Sequence, residues 1–340
     1  MSSESRAQLV ADGTWRLVLP LPFPELPSVN VYALECPQRG LVLIDAGWDS
    51  QASAEALEDA LDQAGFVVED IRAVLLTHAH PDHCGLVPML QKRSSAKFWM
   101  EADEAAWLRR IPPERGTSYR IWWLQQAGVS PSNIEAILEA LVSVAKFRTF
   151  APDDVEITPF SDLVISGRRL RPIRTPGHSP GHTCFLDRTE NILFSGDHVL
   201  PDITPNVGYY DEEHPDPLGD FLASCDALRG LAPDAVLPGH GGVFTQLDAR
   251  LEEVSAHHAS RLETVTQVVD AGATTVWEVA RGLGWLADDA GVDYMSMAAL
   301  GEAWAHLLLL EHRGRVASGL HGAARHWRST CAGGSVVVSV

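Results

Sequence analysis

Four side chains that can bind a metal ion fall within six residues of this sequence, directly after a run of apolar residues. They are His78, His80, Asp82 and His83. Apart from Arg72, residues 71–76 are apolar, and the run has the length of a strand that is largely buried. Pro81 disfavours a long helix through the cluster, so we expect a short turn that points its ligands in different directions. A polar surface loop commonly holds one or two histidines, but four ligands at this spacing indicate a metal site.

Three further islands of possible ligands have the same layout: a strand-like run, then a small residue or proline, then His or Asp. Residues 170–173 precede His178, residues 191–194 precede Asp197, and residues 235–237 precede His240. Ligands from several strand ends can converge at one edge of a sheet. Glycines next to these residues allow close approach of the backbone. The sequence therefore predicts one site built from four separate segments.

The rest of the chain predicts layered α/β architecture followed by a mostly helical part. Short strands alternate with turns over the first 50 residues, and a helix opened by Ser50 precedes the buried strand. Residues 101–151 are helical and rich in aromatic residues, chiefly Trp and Phe, which predicts a helical insert that packs on the sheet and partly roofs the cleft. After residue 248, three helices and a ribbon over residues 315–327 have the outline of a winged helix. We therefore predict a catalytic domain over residues 1–248 and a C-terminal domain over residues 249–340.

Charge and cysteine content narrow the possible partners and compartment. The chain of 340 residues has 45 Asp+Glu against 26 Lys+Arg, a formal net charge of −19. Such acidity disfavours nucleic acid and anionic membranes as partners. The five cysteines are scattered without a CxxC pair, and no apolar run resembles a signal peptide or a membrane span. These features predict a cytoplasmic protein with a small-molecule substrate.

At these ligand positions the sequence resembles the metallo-β-lactamase superfamily, whose ordered signature is HxHxDH followed by His, Asp and His. The resemblance covers roughly residues 14–245 and implies a four-layer αββα sandwich. It implies that one metal ion binds His78, His80 and His178 and that a second binds Asp82, His83 and His240. It implies that Asp197 bridges the two ions. It also implies that Asp45 orients a ligand histidine.

The predicted activity is hydrolysis. Two divalent ions can hold a bridging hydroxide that attacks a carbonyl or phosphoryl centre, and Asp82 is the candidate for proton transfer. Zinc is the expected ion, with iron and manganese as alternatives. The favoured substrate is an ester, thioester or lactone of a small, partly apolar molecule. A hydroxyacylglutathione hydrolase of glyoxalase II type and a β-lactam-cleaving enzyme remain alternatives.

A regulator that binds nucleic acid through the winged helix is the alternative from a different class. The acidic C-terminal part disfavours it, because acidic residues outnumber Arg after residue 249 and Lys does not occur there. A cover for the catalytic domain or a homodimer contact fits that part better.

Four more residues are weaker candidates for the site. They are His182 and His198, expected beside the ligands, and Tyr209 and Tyr210, expected in a substrate pocket.

Overall fold

The structure is a computed structural model that describes residues 5–37, 40–110, 113–144, 154–165, 167–286 and 294–330. The described residues divide into two compact units. The first comprises those within Met1–Pro112, Ala145–Pro205 and Asp220–Val254, and the second those within Pro113–Val144, Asn206–Gly219 and Ser255–Val340. The domain boundaries expected from the sequence stay a prediction.

Two sheets form the first unit. The seven-stranded sheet follows the chain order: β1 (Ala7–Ala11), β2 (Thr14–Pro20), β3 (Ser28–Cys36), β4 (Gly40–Ile44), β5 (Ile71–Leu75), β6 (Lys97–Met100) and β7 (Glu156–Ile157). Strands β1 to β4 pair antiparallel, whereas β4 to β7 pair parallel. The five-stranded sheet has the order β12-β11-β10-β9-β8. Its strands are β8 (Leu163–Ile165), β9 (Arg168–Arg174), β10 (Thr183–Asp187), β11 (Ile192–Gly196) and β12 (Ala235–Pro238).

The two sheets pack face to face through one apolar cluster. Alternate side chains of β3, β4 and β5 contact Leu170, Phe185 and Phe194 of the second sheet. The rings of Tyr32 and Phe194 meet edge to face at 5.4 Å. A second cluster packs helices on the opposite face of the seven-stranded sheet. This arrangement confirms the predicted α/β sandwich.

The helices begin and end close to where the sequence signals place them. They are α1 (Gln51–Gln63), α2 (Pro81–Cys84), α3 (Val87–Arg93), α4 (Ala102–Arg110), α5 (Pro113–Gln126), α6 (Pro131–Val144), α7 (Pro217–Leu228), α8 (Leu247–Asp270), α9 (Val276–Gly282) and α10 (Tyr294–His312), with a 3₁₀ turn at Val68–Asp70. Ser50 caps α1, as its hydroxyl accepts a hydrogen bond of 3.1 Å from the Ser53 amide. Pro81 stands at the first turn of α2, where proline is tolerated.

Helices α5, α6, α9 and α10 and the hairpin of β13 (Val316–His321) with β14 (Ala324–Ser329) belong to the second unit. Trp123 and Trp304 pack within it with ring centroids 5.0 Å apart, and both are buried. Thr275 and Glu278 form a capping box at the start of α9. The C-terminal part contains the helices α8, α9 and α10 and the ribbon of β13 and β14, while its assignment as a winged helix stays a prediction.

Some parts of the sequence interpretation lie outside the described residues. These include residues 145–151 of the helical insert and the tail after residue 330. The four described cysteines are thiols rather than disulfides. None of the helices in the described ranges is long and apolar enough to cross a membrane.

Candidate metal centre

The candidate ligands stand at the carboxyl ends of strands, as expected. Asp45 follows β4, the cluster from His78 to His83 follows β5, and His178 follows β9. Asp197 follows β11 and His240 follows β12. All seven predicted ligands fall into three overlapping groups, in each of which one donor atom per residue lies within 4.8 Å of the others. The structure thus brings together what the sequence separates by more than 150 residues.

Three imidazole nitrogens converge in the first group, which consists of His78, His80 and His178. Nδ1 of His80 lies 2.9 Å from Nε2 of His78 and 2.9 Å from Nε2 of His178. The two Nε2 atoms are 3.3 Å apart. A neutral imidazole has one N–H donor and one acceptor nitrogen, so three ring nitrogens that face one another cannot all form hydrogen bonds within the cluster. Nitrogens bound at ~2.0–2.1 Å to one tetrahedral ion lie about 3.3 Å apart, which matches the longest of these three separations and exceeds the other two by about 0.4 Å.

The second group consists of one carboxylate, that of Asp82, and two imidazoles, those of His83 and His240. Oδ2 of Asp82 lies 3.7 Å from Nε2 of His83 and 3.3 Å from Nε2 of His240. His83 and His240 are buried, and the Asp82 side chain is 17% exposed. Asp82 is therefore the member of this group that a substrate or water can reach.

Asp197 lies between the two groups. Its Oδ1 is 3.4 Å from Nε2 of His83, and its Oδ2 is 3.4 Å from Nε2 of His240 and 3.7 Å from Nε2 of His178. One carboxylate therefore faces histidines of both groups. This is the position expected of a bridging ligand.

Several buried atoms of the site have no hydrogen-bond partner among the described residues. They are Nε2 of His83, Nε2 of His240 and Oδ1 of Asp197. A buried polar atom without a partner costs free energy, and buried polar groups in native proteins are paired with protein, water or an ion. These atoms point into one cluster of nitrogen and carboxylate donors, which is the donor set that divalent transition metals prefer. The residues present therefore fit a metal ion.

Burial and charge set the protonation of the two groups differently. Burial, together with repulsion from neighbouring imidazoles, lowers the pKa of His78 far below its usual range and that of His80 to about 3. Burial also opposes charge on His240, but Asp197 and Asp82 raise the pKa of His240 to about 10. Burial would raise the pKa of Asp82, yet His83 and His240 lower it to about 2. Metal binds ionised carboxylates and imidazole lone pairs, so an ion that binds the second group would have to displace the proton that these carboxylates hold on His240.

Asp45 fixes the orientation of His83 and of the ligand loop. Its Oδ2 lies 2.8 Å from Nδ1 of His83, and its Oδ1 accepts a hydrogen bond of 2.7 Å from the Thr77 amide. The Thr77 hydroxyl also lies 2.9 Å from Nδ1 of His78. Because Nδ1 of His83 donates to Asp45, the Nε2 lone pair is directed toward Asp82 and Asp197. The carboxylate thus stands where the sequence interpretation placed an orienting group.

The loop that carries His240 is held by β3. Nδ1 of His240 donates to the Ser28 carbonyl at 2.8 Å. The Asn30 side-chain amide donates to the carbonyls of Pro238 and Gly241, and the Tyr32 hydroxyl donates to the Pro238 carbonyl. These contacts leave Nε2 of His240 facing the site.

His182 and His198 occupy different surroundings. Nδ1 of His182 lies 2.8 Å from the Thr175 hydroxyl, and its Nε2 accepts a hydrogen bond of 3.2 Å from the amide of Asp197. His182 therefore supports the backbone of Asp197. His198 packs against Phe221 at 4.8 Å and against the His182 ring at 5.9 Å, and its Nε2 lies 3.7 Å from the Cys225 thiol.

Tyr209 and Tyr210 belong to the second unit, where both pack on tryptophan. The Tyr209 ring lies 5.0 Å from Trp304, and the Tyr210 ring lies 6.2 Å from Trp123. The Tyr210 hydroxyl donates to Asn206 at 2.9 Å. Their predicted role in a substrate pocket stays a prediction.

Glu104 is the residue that sequence reasoning missed. It is buried on α4, and its carboxylate accepts hydrogen bonds from the amides of Ala79 and Gly181, in two ligand loops. The available signal was its place shortly after the strand-like residues 97–100, the layout shared by the other islands. The helical insert was instead assumed to begin there.

This fold and donor set define a class of metal-dependent hydrolases. The chain matches the family model described as "Metallo-beta-lactamase superfamily" over residues 25–240, so it belongs to that superfamily and is a metallo-hydrolase. The predicted family and enzyme class are confirmed.

Proteins similar to this chain span much of its length. A probable metallo-hydrolase of Bacillus subtilis, YqjP, is 24% identical over 78% of this chain and 83% of its own length. The lactamase-like protein adaB of Aspergillus niger is 27% identical over 72% of this chain, which spans 60% of adaB. A metallo-beta-lactamase family protein from Thermus thermophilus has a TM-score of 0.78 at 29% identity, covering 94% of this chain and all of its own. A beta-lactamase domain protein from Burkholderia ambifaria has a TM-score of 0.76 at 27% identity, covering 95% of this chain and 94% of its own.

Proposed function

We propose that this protein is a dinuclear metal-dependent hydrolase that cleaves an ester, thioester or lactone of a small, partly apolar molecule. One observation carries the proposal. Asp197 faces histidines of both the first group and the second group. Buried nitrogen and oxygen atoms of this cluster have no hydrogen-bond partner among the described residues. A single-ion site needs three or four donors, whereas seven converge here.

Zinc is the proposed ion, with iron or manganese as alternatives. Divalent ions held by such donors supply Lewis-acid polarisation of a carbonyl and lower the pKa of water toward neutrality. His78, His80 and His178 would hold one ion, Asp82, His83 and His240 the other, and Asp197 both. Asp82 is the proposed proton carrier, because its side chain is the most exposed of the site carboxylates and lies 3.3 Å from His240.

The surroundings of the site support a small and partly apolar substrate. The Trp107 ring lies 6.1 Å from the His80 ring and forms an apolar wall beside the first group. The net charge of −19 disfavours a polyanionic substrate such as nucleic acid. A cytoplasmic location belongs to the same proposal, because the described cysteines are thiols, as expected in a reducing compartment.

Metal analysis tests the dinuclear site directly. We expect about two ions per chain in protein purified without chelator, and about two equivalents bound on titration of the metal-free protein with zinc. Asp197→Asn, which keeps the shape of the side chain but removes its charge, should bind less metal and lose hydrolysis. Binding of fewer than two ions per chain at saturating zinc, or full hydrolase activity of Asp197→Ala, would contradict the proposal.

An activity screen identifies the substrate class. The panel contains alkyl thioesters, glutathione thioesters, lactones, phosphodiesters and β-lactams, each assayed with and without chelator. Chelator-sensitive cleavage of alkyl thioesters, esters or lactones supports the proposal. Preference for a glutathione thioester or a β-lactam would favour one of those alternatives; relatives named lactamase-like justify including the latter. Binding of duplex DNA with an affinity that falls with salt would instead favour the nucleic-acid alternative.

A further inference from the structure

A buried carboxylate that is not among the predicted ligands stands next to the first ligand group. Glu104 lies in the first turn of α4, and its residue is fully buried. Carboxylates are rarely buried unless their oxygens accept hydrogen bonds or bind a cation. Both oxygens of Glu104 have such partners.

The two oxygens of Glu104 accept hydrogen bonds from two different loops. Oε2 accepts from the Ala79 amide at 2.9 Å, and Oε1 accepts from the Gly181 amide at 2.7 Å. Ala79 stands between His78 and His80, and Gly181 stands three residues after His178. One side chain therefore joins the loops that carry all three histidines of the first group.

The position of Glu104 follows from strand pairing. Strand β6 pairs parallel to β5, so the carboxyl ends of both strands lie at the same edge of the sheet. The ligand loop leaves β5 at this edge, and α4 leaves β6 there. Glu101 caps α4, since its Oε2 accepts a hydrogen bond of 3.3 Å from the Glu104 amide. Arg174 in turn lies 3.6 Å from Oε1 of Glu101. The helix that presents Glu104 is thus itself fixed.

A carboxylate suits this position better than any neutral side chain. Two backbone amides approach it from different sides, and each needs an acceptor. A carboxylate offers acceptor sites on both oxygens, whereas the amide of glutamine offers one oxygen and one NH₂ group. Glutamine would leave one loop amide facing a donor, and that loop would have to move.

The second ligand group does not share this support. Asp45 holds His83, and the Ser28 carbonyl accepts from His240. Among the described residues, the hydrogen bonds of Glu104 go to the loops of the first group and reach neither of these histidines. The Thr77 hydroxyl links Asp45 to Nδ1 of His78, so the network of Asp45 also reaches one histidine of the first group. The side-chain hydrogen bonds of Glu104, in contrast, go to the Ala79 and Gly181 amides beside the first group.

We propose that Glu104 is a positioning residue that sets the geometry of the His78–His80–His178 group and thereby controls the affinity of the first metal ion independently of the second. The inference rests on the proposed metal-binding function. Glu104 acts through Ala79 and Gly181 and is not itself a ligand. Hydrogen-bonding partners of metal ligands commonly change metal affinity by ~10–100-fold when removed.

Metal titration of Glu104→Gln tests the inference. Metal-free protein is titrated with Co²⁺ and Zn²⁺, and the ligand-field spectrum of Co²⁺ and competition with a chromophoric chelator report each binding step. We expect the first group to bind at least ~10-fold more weakly, while the Asp82 group keeps its wild-type affinity. Asp187→Asn is the control: Asp187 is also a buried carboxylate, and it accepts from the amides of Thr189 and Glu190 and pairs with Arg168 at 3.4 Å, away from the ligand loops. In Asp187→Asn, the metal affinities of the first and the second group should both equal those of the wild type.

The outcomes separate this inference from the proposed function. If wild-type protein binds fewer than two ions, the dinuclear proposal fails. If the wild type binds two ions and Glu104→Gln binds both with unchanged affinity, or loses both equally while circular dichroism shows it folded, the positioning role is wrong. If Glu104→Gln does not fold, Glu104→Asp decides, because it keeps both acceptor oxygens one methylene further back. Weakening of the first group alone supports the inference, and any other pattern overturns it.

Discussion

Oδ2 of Asp45 lies 2.8 Å from Nδ1 of His83, and Asp45 adopts a left-handed backbone conformation with φ of 65°. A left-handed φ is uncommon for residues other than glycine, and although asparagine and aspartate adopt it more readily than most, it still costs free energy that the surroundings must offset. Here the conformation at the end of β4 aims one carboxylate at both His83 and the Thr77 amide. Strain at this turn is thus linked to the orientation of a candidate metal ligand.

We expect Asp45→Asn to lower the affinity of the second group for its metal ion by about 10–100-fold. Asparagine tolerates the left-handed conformation, so the turn should be preserved. Its oxygen can still accept from the Thr77 amide, but its NH₂ group then faces Nδ1 of His83 and favours the wrong tautomer of that ring. Competition with a chelator measures the affinity. Unchanged affinity at the Asp82 group would show that Asp45 has no orienting role.

Removal of metal should abolish hydrolysis and lower the stability of the protein. An ion that binds only the folded state stabilises it by RT ln(1 + [L]/Kd), which is about 2.7 kcal/mol at 100 times Kd. Thermal melts of metal-free and zinc-loaded protein measure the shift, and added zinc should restore both activity and melting temperature. Identical melts, with activity that survives the chelator, would exclude a metal-dependent site.

Gly239→Ala should disrupt the site, whereas Gly242→Ala three residues further on should not. A Cβ at Gly239 would lie 2.3 Å from Oδ1 of Asp197 and 2.7 Å from Cε1 of His83, closer than real Cβ contacts. A Cβ at Gly242 would meet nothing within 4 Å. We expect Gly239→Ala to lose most of its bound metal and at least ~10-fold in activity, as displaced ligands weaken the ions by ~10–100-fold. Metal content and hydrolysis of the two variants, measured side by side, give the comparison; equal behaviour would mean that the loop relaxes around the added methyl group.

The ligand set could be predicted because each ligand stands next to a recognisable local pattern, a short strand-like run followed by a turn. His78, Asp197 and His240 each follow a strand of apolar residues directly, so both the strand and its end are visible without knowing the fold. The strands they follow are buried and short, which makes their pattern clear. Convergence of these ends then follows from sheet geometry.

Supporting residues such as Glu104 could not be predicted in the same way. A single glutamate near the start of a polar helix is usually a solvated residue, and its partners are backbone amides that carry no sequence signal. Its role depends on the parallel pairing of β5 with β6, which brings the start of α4 to the edge of the sheet where the ligand loops lie. The sequence pattern of residues 101–151 indicates only helix and gives no sign of this pairing. Asn30 and Tyr32 were likewise hidden, because they act through the carbonyls of a loop about 200 residues away.

A buried histidine pair in the second unit offers a test that is independent of the metal site. Nδ1 of His258 lies 3.4 Å from Nε2 of His306, and Nδ1 of His306 donates to the Glu302 carbonyl at 2.8 Å. The bond to Glu302 leaves Nε2 of His306 as an acceptor, so both rings are neutral in this arrangement. Burial lowers the pKa of His258 to about 3 and that of His306 to about 4.

We expect this pair to make the folded protein less stable as the pH falls below about 6.5. The unfolded chain takes up protons near the ordinary histidine pKa of ~6.5, whereas the folded state does so only near pH ~3–4, so stability is full above pH ~6.5 and is lost toward pH ~4. Between pH 7 and 5 the loss is on the order of 1–2 kcal/mol per histidine. His258→Gln, which cannot titrate, should show a shallower fall in the free energy of unfolding over this range, although it starts from a lower value at pH 7. His321→Gln, at an exposed position in the same unit, should retain the wild-type slope. Parallel curves for wild type and His258→Gln would show that the pair does not couple folding to protons.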